Sequence, residues 1–369
     1  MQLFSFLSLR KGYRLKMSFK QLGNLEDAPR ENCSDVLPYV GEFFNELPVV
    51  DKVLIGICGA LTFSTILIFM DELRYVRKSH EEEDILYKTT WLLSLYPAMS
   101  ATSFIAIVVP RSSLIDQIVA SGYLAVVIHK FLRLMVLYYG GKEAFLLAVS
   151  KTKISLRSPP LACCFCCCPA VVINKKYYGM ISVVSVLQCA FVRPVIQHLS
   201  AVLWTEGVFV AGMLTHSTIN TVFGVISALS TLIAMYGLIL IYRASKTNLK
   251  HYHIVPKYVC FYLVLMVSNI QILIFSILSS NGAFPCIGTL SSKITGNAAH
   301  HGLVTVEMFF LALMARFYYM KTLRSVESYN MDTVTESGIT RGNCISVVEI
   351  PHQVQQKSHD VRYSTHTIH

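Results

Sequence analysis

Seven long apolar runs constrain this chain more than any other feature of its sequence. In order, they occupy residues 53–70, 89–109, 114–139, 178–203, 218–242, 258–278 and 301–319. Each is close to the ~20 residues that an α-helix needs to cross the hydrocarbon core of a bilayer. Because the runs are continuous rather than alternating, they indicate helices and not the strands of a barrel. The expected fold class is an all-α integral membrane protein with seven transmembrane helices, the second of them broken by Pro97.

The composition agrees with a membrane location. Hydrophobic residues make up 53% of the chain and charged residues 15%, whereas a soluble domain carries about a quarter charged residues. The net charge is +10, which in a soluble protein would raise nucleic-acid binding as a function. Here the basic residues lie between apolar runs, and no soluble segment large enough to fold carries a basic strip with interleaved aromatics. No nucleic-acid partner is predicted.

The distribution of basic residues predicts how the helices are oriented. Lys and Arg are concentrated in three alternate loops, 71–88, 140–177 and 243–257, while the intervening loops hold only Arg111 and Lys293. The positive-inside rule places the basic loops in the cytosol. The N-terminus is then extracellular and the C-terminus cytosolic.

The domain organisation follows from this orientation. The expected units are an extracellular N-terminal tail (1–50), a seven-helix domain (51–322) and a disordered cytosolic tail (323–369), which is polar and lacks helical periodicity. The sequence leaves open whether translation starts at Met1 or at Met17.

Five cysteines fall within six positions of the long basic loop. They are Cys163, Cys164, Cys166, Cys167 and Cys168. Zinc needs spaced thiolates that can converge on one ion, and neither a second cysteine pair nor a histidine pair follows nearby. Thiols beside a bilayer and among basic residues favour S-acylation, which would tether the loop to membrane lipids. Metal binding and unmodified thiols are the alternatives. On the opposite side of the membrane, Asn32 lies in an N-x-S sequon and is a candidate for glycosylation.

Several short motifs in chain order resemble the organic solute transporter alpha subunit family. Gly-Gly-Lys-Glu-Ala at 140–144 followed by the cysteine run is the most specific of them. The others are Val-Pro-Arg-Ser at 109–112, Gln-Cys-Ala-Phe at 188–191 with Arg193, Ile-Asn-Thr at 219–221, Gln271 with Ile-Phe-Ser at 274–276, and Glu307 with Arg316 and Tyr318-Tyr319.

The resemblance implies a function and a partner. It implies facilitated transport of amphipathic organic anions, such as steroid conjugates and bile-acid-like solutes, down their gradient. It also implies a single-span beta subunit and a location in the plasma membrane, and it leaves open endomembrane pools and a homo-oligomer of heterodimers. It implies neither an enzyme nor a cofactor, and no ATP-binding G-x-x-x-x-G-K-[ST] motif is present in the sequence.

Polar side chains at membrane depth are the candidates for substrate binding, because each is costly unless it faces protein or water. The candidates are Arg193, Gln188, Asn220, Gln271 and Glu307. Arg193 could pair with an anionic substrate group. Alternatively, it forms a salt bridge with Glu307 or extends to the membrane surface. For His129, Lys130 and Arg133 in the third run, contact with lipid phosphates is favoured.

A different class of function is compatible with the same topology. A seven-helix receptor, or a lipid-binding scaffold acting in membrane trafficking or signalling, would also have seven spans. Against a receptor, the third run ends in Leu-Tyr-Tyr-Gly at 137–140 and not in an acidic-Arg-Tyr triplet. A groove that binds a ligand would favour the carrier, and a tightly packed bundle would favour the scaffold.

The predicted orientation generates a first testable prediction. Cys33 and Cys286 both fall on the extracellular side, where the environment is oxidising. We expect peptide mapping under non-reducing conditions to recover a cross-linked pair that contains both residues and separates on reduction. Recovery of both as free thiols would remove the bridge.

Overall fold

Helices account for nearly all of the residues that the structure, a computed structural model, describes: 36–78, 82–149, 153–154, 171–172, 188–206, 218–245 and 254–337. In chain order they are α1 (Val40–Glu46), α2 (Val49–Lys78), α3 (Glu83–Leu93), α4 (Leu95–Val108), α5 (Ser113–Leu137), α6 (Lys142–Val149), α7 (Gln188–Thr205), α8 (Thr218–Ser245), α9 (Ile254–Ser280) and α10 (Ser292–Ser337). A 3-10 turn, Pro110–Ser112, joins α4 to α5.

Two very short strands interrupt this helical pattern in the long basic loop. β1 (Lys153–Ile154) and β2 (Val171–Val172) pair antiparallel, with Lys153 opposite Val172. The pairing brings together the two ends of the segment that carries the cysteine run. The cysteines themselves lie outside the described residues, so their acylation stays a prediction.

Six helical segments in the described ranges are long and apolar enough to cross a membrane: Val49–Lys78, Glu83–Val108, Pro110–Leu137, Val222–Arg243, Val255–Ser279 and Ser292–Met320. They coincide with six of the seven predicted runs. The remaining run, 178–203, overlaps α7, which begins at Gln188, and residues 178–187 lie outside the described part. The chain is therefore a helical, multi-pass membrane protein, while a seventh crossing and the orientation of the termini stay predictions.

The outer surface of the bundle is apolar, as contact with lipid requires. On α2, for example, the side chains of Leu54, Ile57, Phe63 and Leu67 are all exposed by about half or more. The buried stripe of the same helix includes Thr62 and packs against α4, where the Thr62 and Ser100 hydroxyls are 3.0 Å apart. The helix thus presents its small polar residues to the protein and its large apolar residues to the bilayer.

The second predicted span is broken, as the sequence predicts. The helix is interrupted at Ser94, between α3 and α4, while Pro97 lies inside the first turn of α4. The interruption lies in the turn before Pro97, so the prediction that Pro97 breaks this span is confirmed. In a continuous helix, Pro97 could not donate a hydrogen bond to the carbonyl of Leu93 and its ring would clash with that carbonyl. The first helix therefore ends at Leu93, and Pro97 is accommodated in the first turn of α4.

Both ends of the membrane domain also differ from the predicted boundaries. At the start, α1 and the beginning of α2 lie within residues 40–50, which the sequence assigned to the extracellular N-terminal tail. At the end, α10 continues to Ser337 although the tail was expected from 323. No Pro or Gly occurs between Gly302 and Gly338, so nothing in the backbone ends the helix earlier.

The main apolar core lies at the end of the bundle where the basic residues are, which we call the basic end. There the rings of Phe131 and Phe261 stack with centroids 4.8 Å apart, and those of Tyr242 and Tyr258 with centroids 3.9 Å apart. Lys257 is only 3% exposed, and its Nζ donates a hydrogen bond of 3.3 Å to the hydroxyl of Tyr138. Interleaved aromatic rings therefore close this end.

The opposite end, which we call the cap end, is covered by the segment before α2. Phe43 of α1 and Leu47 pack with Leu290 and Ile294 near the start of α10. On the α5 side, Nε of Arg111 donates a 2.9 Å hydrogen bond to the carbonyl of Leu37, and its guanidinium lies 3.5 Å from the centroid of the Tyr39 ring. These contacts place the N-terminal segment, the 110–112 turn and the 281–291 loop at the same end of the bundle. This placement is expected when successive helices cross the membrane in opposite directions.

The Gly-Gly-Lys-Glu-Ala motif is a helix-terminating turn. Gly140 and Gly141 have φ of 80° and 117°, a region that side chains with a Cβ rarely adopt. The turn reverses the chain so that Phe145 of α6 is fully buried, with its ring centroid 5.2 Å from that of Tyr139. The glycines therefore seal the basic end by folding α6 against the bundle.

Alanine substitutions at Gly141 and at Gly122 test whether the turn depends on the left-handed backbone of its glycines. Gly141→Ala should lower the free energy of unfolding by ~1–2 kcal/mol, the cost of a left-handed conformation for a residue with Cβ. Gly122→Ala is the matched control, because Gly122 lies inside α5 with nothing within 4 Å of an added Cβ. That change should be neutral or stabilising by up to ~1 kcal/mol. Thermal unfolding of the full-length protein in detergent gives both values, and equal effects would contradict the assignment.

Candidate functional site

A cavity of about 80 Å³, lined by both polar and apolar side chains, lies between α4, α5, α7, α9 and α10. Its lining includes Ser103 of α4, Asp116 of α5, Arg193 of α7, Ser268 of α9, and His300 and His301 of α10. A water molecule needs ~10–15 Å³ of such a cavity, so the space holds several waters or one compact head group. It is not large enough for a rigid amphiphile as a whole, because pockets for drug-sized ligands measure about 300–1,000 Å³.

Arg193 is the cationic side chain of this cavity. Its buried Nε has no hydrogen-bond partner, and within the described residues its guanidinium forms no ion pair with Glu307 or Asp116. The salt bridge with Glu307, which was the alternative to substrate binding, is therefore absent from this structure. Pro194 follows within the same helix and leaves one backbone carbonyl of α7 without its usual donor.

Two adjacent histidines supply further polar groups that the sequence analysis did not consider. The side chains of His300 and His301 are 5% and 6% exposed, and their ring centroids are 5.0 Å apart. Nδ1 of His300 and both ring nitrogens of His301 have no hydrogen-bond partner. The sequence does contain a signal for this pair: ionisable residues in a membrane-spanning run are rare, and two consecutive histidines at its start indicate a functional site.

Asp116 is the carboxylate of the cavity and was also missed. It lies in the first turn of α5 and is 8% exposed. Oδ2 accepts a 2.6 Å hydrogen bond from the hydroxyl of Ser112. An acidic residue in a first turn is favoured by the helix dipole, which makes it easy to overlook in a sequence. In the structure, Asp116 lines the same cavity as Arg193.

Of the other predicted substrate-binding residues, three form contacts between helices. Nε2 of Gln188 donates a 2.8 Å hydrogen bond to the carbonyl of Ser230, whose hydroxyl donates one of 3.0 Å to Oε1 of Gln188. Nε2 of Gln271 donates a 3.3 Å hydrogen bond to Oε1 of Glu307. These pairs connect α7 to α8 and α9 to α10. Asn220 belongs to α8, but its side chain lies outside the described part.

The predicted modification sites are only partly within the described structure. Cys286 is disulfide-bonded, whereas Cys58, Cys189 and Cys260 are free. Cys33 and Asn32 lie outside the described residues, so the pairing and the glycosylation stay predictions. The described residues contain no group of three His, Cys, Asp or Glu side chains that could hold a metal ion.

The arrangement suits recognition of a polar head group. A guanidinium, imidazoles and the hydroxyl of Ser268, whose oxygen also lacks a partner, can donate hydrogen bonds to oxyanions. Each buried polar group without a partner costs ~1–3 kcal/mol, so a cluster of them in one cavity calls for an explanation by a ligand or ordered water. The fold and this cavity together define a multi-pass membrane protein with a cavity between its helices that is lined by several polar side chains.

Comparison with known proteins gives the family. The organic solute transporter Ostalpha family profile matches residues 54–325, and the chain belongs to this family, which is a family of membrane solute transporters and not of enzymes. The chain is 30% identical to organic solute transporter subunit alpha of Danio rerio over 296 residues, which cover 78% of this chain and 88% of the relative.

More distant relatives cover a similar share of the chain. The human organic solute transporter subunit alpha is 25% identical over 293 residues, covering 78% of this chain and 85% of the relative. Organic solute transporter alpha-like protein 3 of Caenorhabditis elegans is 24% identical over 298 residues, covering 77% and 82%. No solved structure matches this chain.

The Gln188–Ser230 contact can be tested by a double-mutant cycle. Gln188→Leu combined with Ser230→Ala should show a coupling of ~0.6 kcal/mol, and at most about 1.7, as for hydrogen bonds between membrane helices. The free energy of unfolding by sodium dodecyl sulfate supplies the four values. Ser64→Ala is the control partner, because the Ser64 hydroxyl bonds within its own helix to the Ala60 carbonyl at 2.8 Å. Its combination with Gln188→Leu should be additive, and additivity in both cycles would contradict the contact.

Proposed function

We propose that this protein is the larger subunit of a facilitated transporter in the plasma membrane. It moves amphipathic organic anions, such as steroid conjugates and bile-acid-like solutes, down their gradient together with a single-span beta subunit. Membership of the Ostalpha family supports the transport function, and the relatives named subunit alpha support the need for a partner. The absence of an ATP-binding motif from the whole sequence agrees with transport driven by the solute gradient.

The observation that carries this proposal is the unpaired Arg193. A cationic side chain at membrane depth is costly unless it is matched by an opposite charge or by water. Its Nε has no partner and its guanidinium no ion pair in the described part of the chain. An anionic group of a substrate would supply the missing charge, and Ser268 and the two histidines would supply further donors.

The size of the cavity defines how such a substrate binds. About 80 Å³ accommodates a sulfate or carboxylate group but not a steroid nucleus. The apolar body must therefore occupy space outside this cavity, against apolar surface of the bundle or the bilayer. We infer that the head group binds first and that the helices around it separate during transport.

Transport also requires the basic end to open. The stacked pairs Phe131–Phe261 and Tyr242–Tyr258 pack between the helices there, so we expect these rings to separate before a solute bound at Arg193 reaches that side. During transport, the basic end would open when these rings separate and close when they stack again. Acylated cysteines in the 140–177 loop would hold the same end at the membrane surface.

The test is uptake of a radiolabelled steroid sulfate in cells that express the full-length chain with and without a beta-type partner. Uptake should be saturable and should require the partner. Arg193→Ala should lower uptake per surface molecule by roughly tenfold or more, the effect of losing a charged hydrogen bond of ~1.5–3 kcal/mol. Arg193→Lys, which keeps the charge, should retain part of the activity.

Arg133→Ala is the matched control. Arg133 lies on α5 with an exposed side chain, so its removal should leave uptake unchanged. Surface biotinylation of every variant separates a loss of transport from a loss of delivery. Normal flux in Arg193→Ala would remove this residue from the substrate site, and no saturable uptake with any partner would reject the carrier.

A further inference from the structure

The cavity contains a feature that an anion-binding site alone does not explain. Asp116 lines the same small space as Arg193, from the neighbouring helix α5. A carboxylate beside the binding group would repel the negative charge of a simple anion, and more strongly in a partly dry cavity than in water. Arg193 does not neutralise it, because no ion pair joins the two residues in the described structure.

The contacts of Asp116 leave one of its oxygens available. Oδ2 accepts the hydrogen bond from Ser112 at 2.6 Å, and the side chain has no other hydrogen bond or ion pair in the described structure. Asp116 lines the cavity and is 8% exposed, so a group in the cavity can approach its second oxygen. An ionised carboxylate can only accept hydrogen bonds, so that group must be a donor or a cation.

We propose that Asp116 determines specificity, and that the head group read by this cavity carries both an anionic group for Arg193 and an ammonium group for Asp116. The preferred ligands are then amphiphiles with a zwitterionic head. This inference rests on the proposed function in taking Arg193 as the anion-binding residue, and it adds the chemical class of the ligand. His300 and His301 lie 5% and 6% exposed on the α10 wall and contribute neutral polar contacts to either charge.

The composition of the cavity supports a ligand rather than a structural role for these groups. Five unpartnered atoms, namely Nε of Arg193, Oγ of Ser268, Nδ1 of His300 and both ring nitrogens of His301, belong to three different helices that line it. A purely structural polar network would connect them to each other. A head group with two charges satisfies donors on one side and the acceptor on the other, and neither charge remains uncompensated.

The experiment compares two probes that share one acyl chain. Lysophosphatidylethanolamine has a phosphate and an ammonium group, and lysophosphatidic acid has the phosphate without the ammonium. Uptake is measured in cells that express the full-length chain with its partner. The wild-type protein should have a lower KM for lysophosphatidylethanolamine, the zwitterion, than for lysophosphatidic acid. Asp116→Asn should raise the KM for the zwitterion about tenfold and lower that for lysophosphatidic acid, because it removes a charged contact and a repulsion.

Asp84→Asn is the matched control, since Asp84 forms an exposed i,i+4 ion pair with Lys88 at the other end of the protein. It should leave the ratio of the two KM values unchanged. Asp116→Glu keeps the charge and should keep the sign of the preference. A ratio that Asp116→Asn does not alter, in cells that still take up steroid sulfate, would overturn the role of Asp116 and leave the proposed function intact.

A binding measurement covers the case in which a variant is not delivered to the surface. Purified full-length wild-type protein should be stabilised against thermal unfolding more by the zwitterionic probe than by lysophosphatidic acid. Equal or reversed stabilisation would overturn the inference. If the zwitterion stabilises the protein more and no steroid sulfate is taken up, the anion carrier fails and the assignment of Asp116 stands.

Discussion

A peptide group inside a bilayer has no water to bond with, and this constraint dominates the structure. Every backbone N–H and C=O at membrane depth must find a partner within the protein, which the helices provide within each segment. Side chains are then the only means of distinguishing one face of a helix from another. On α2, large apolar side chains meet lipid, while Thr62 and Ser100 join α2 to α4. The same division places the few strongly polar side chains inside the bundle.

The interior of the bundle is itself divided between two environments. The basic end is filled by aromatic and aliphatic side chains, with Phe131, Phe145 and Phe261 almost completely buried. The region nearer the cap end contains the cavity lined by Arg193, Asp116 and the two histidines. Because both regions involve α5, α9 and α10, movement of these helices would change the packed end and the polar cavity together. Coupling of this kind is what a carrier needs in order to expose one site to two sides in turn.

The loops at the two ends have separate structural tasks. At the basic end, Gly140 and Gly141 adopt left-handed conformations that fold α6 under the bundle. At the cap end, Arg111 holds the segment before α2 through the Leu37 carbonyl and the Tyr39 ring. The family motifs that include these residues are therefore explained by backbone geometry and packing. They do not identify the substrate site, although they are among the most specific features of the sequence.

The local sequence was enough to determine the helices and the family. Continuous apolar runs predicted six of the helical segments, since helix formation in lipid depends mainly on the residues within each segment. Pro97 was also a reliable signal, because the second span is interrupted in the turn before it. The C-terminal boundary was predicted too early, because the stretch after 322 is polar but contains no Pro or Gly before Gly338, and α10 continues to Ser337. Of the candidate site residues, Arg193 was recognised because an isolated charge in an apolar run is visible in the sequence.

Only the tertiary structure decided which polar groups share a cavity. Asp116, Arg193 and His300 are far apart in the chain and belong to three helices, so their convergence depends on how α5, α7 and α10 pack and not on any local pattern. For the same reason the sequence could not separate Arg193, which lines the cavity, from Gln188, which joins α7 to α8. The residues within one segment are enough to predict a membrane-spanning helix. The partner of each buried polar group depends instead on which other helices pack against that segment.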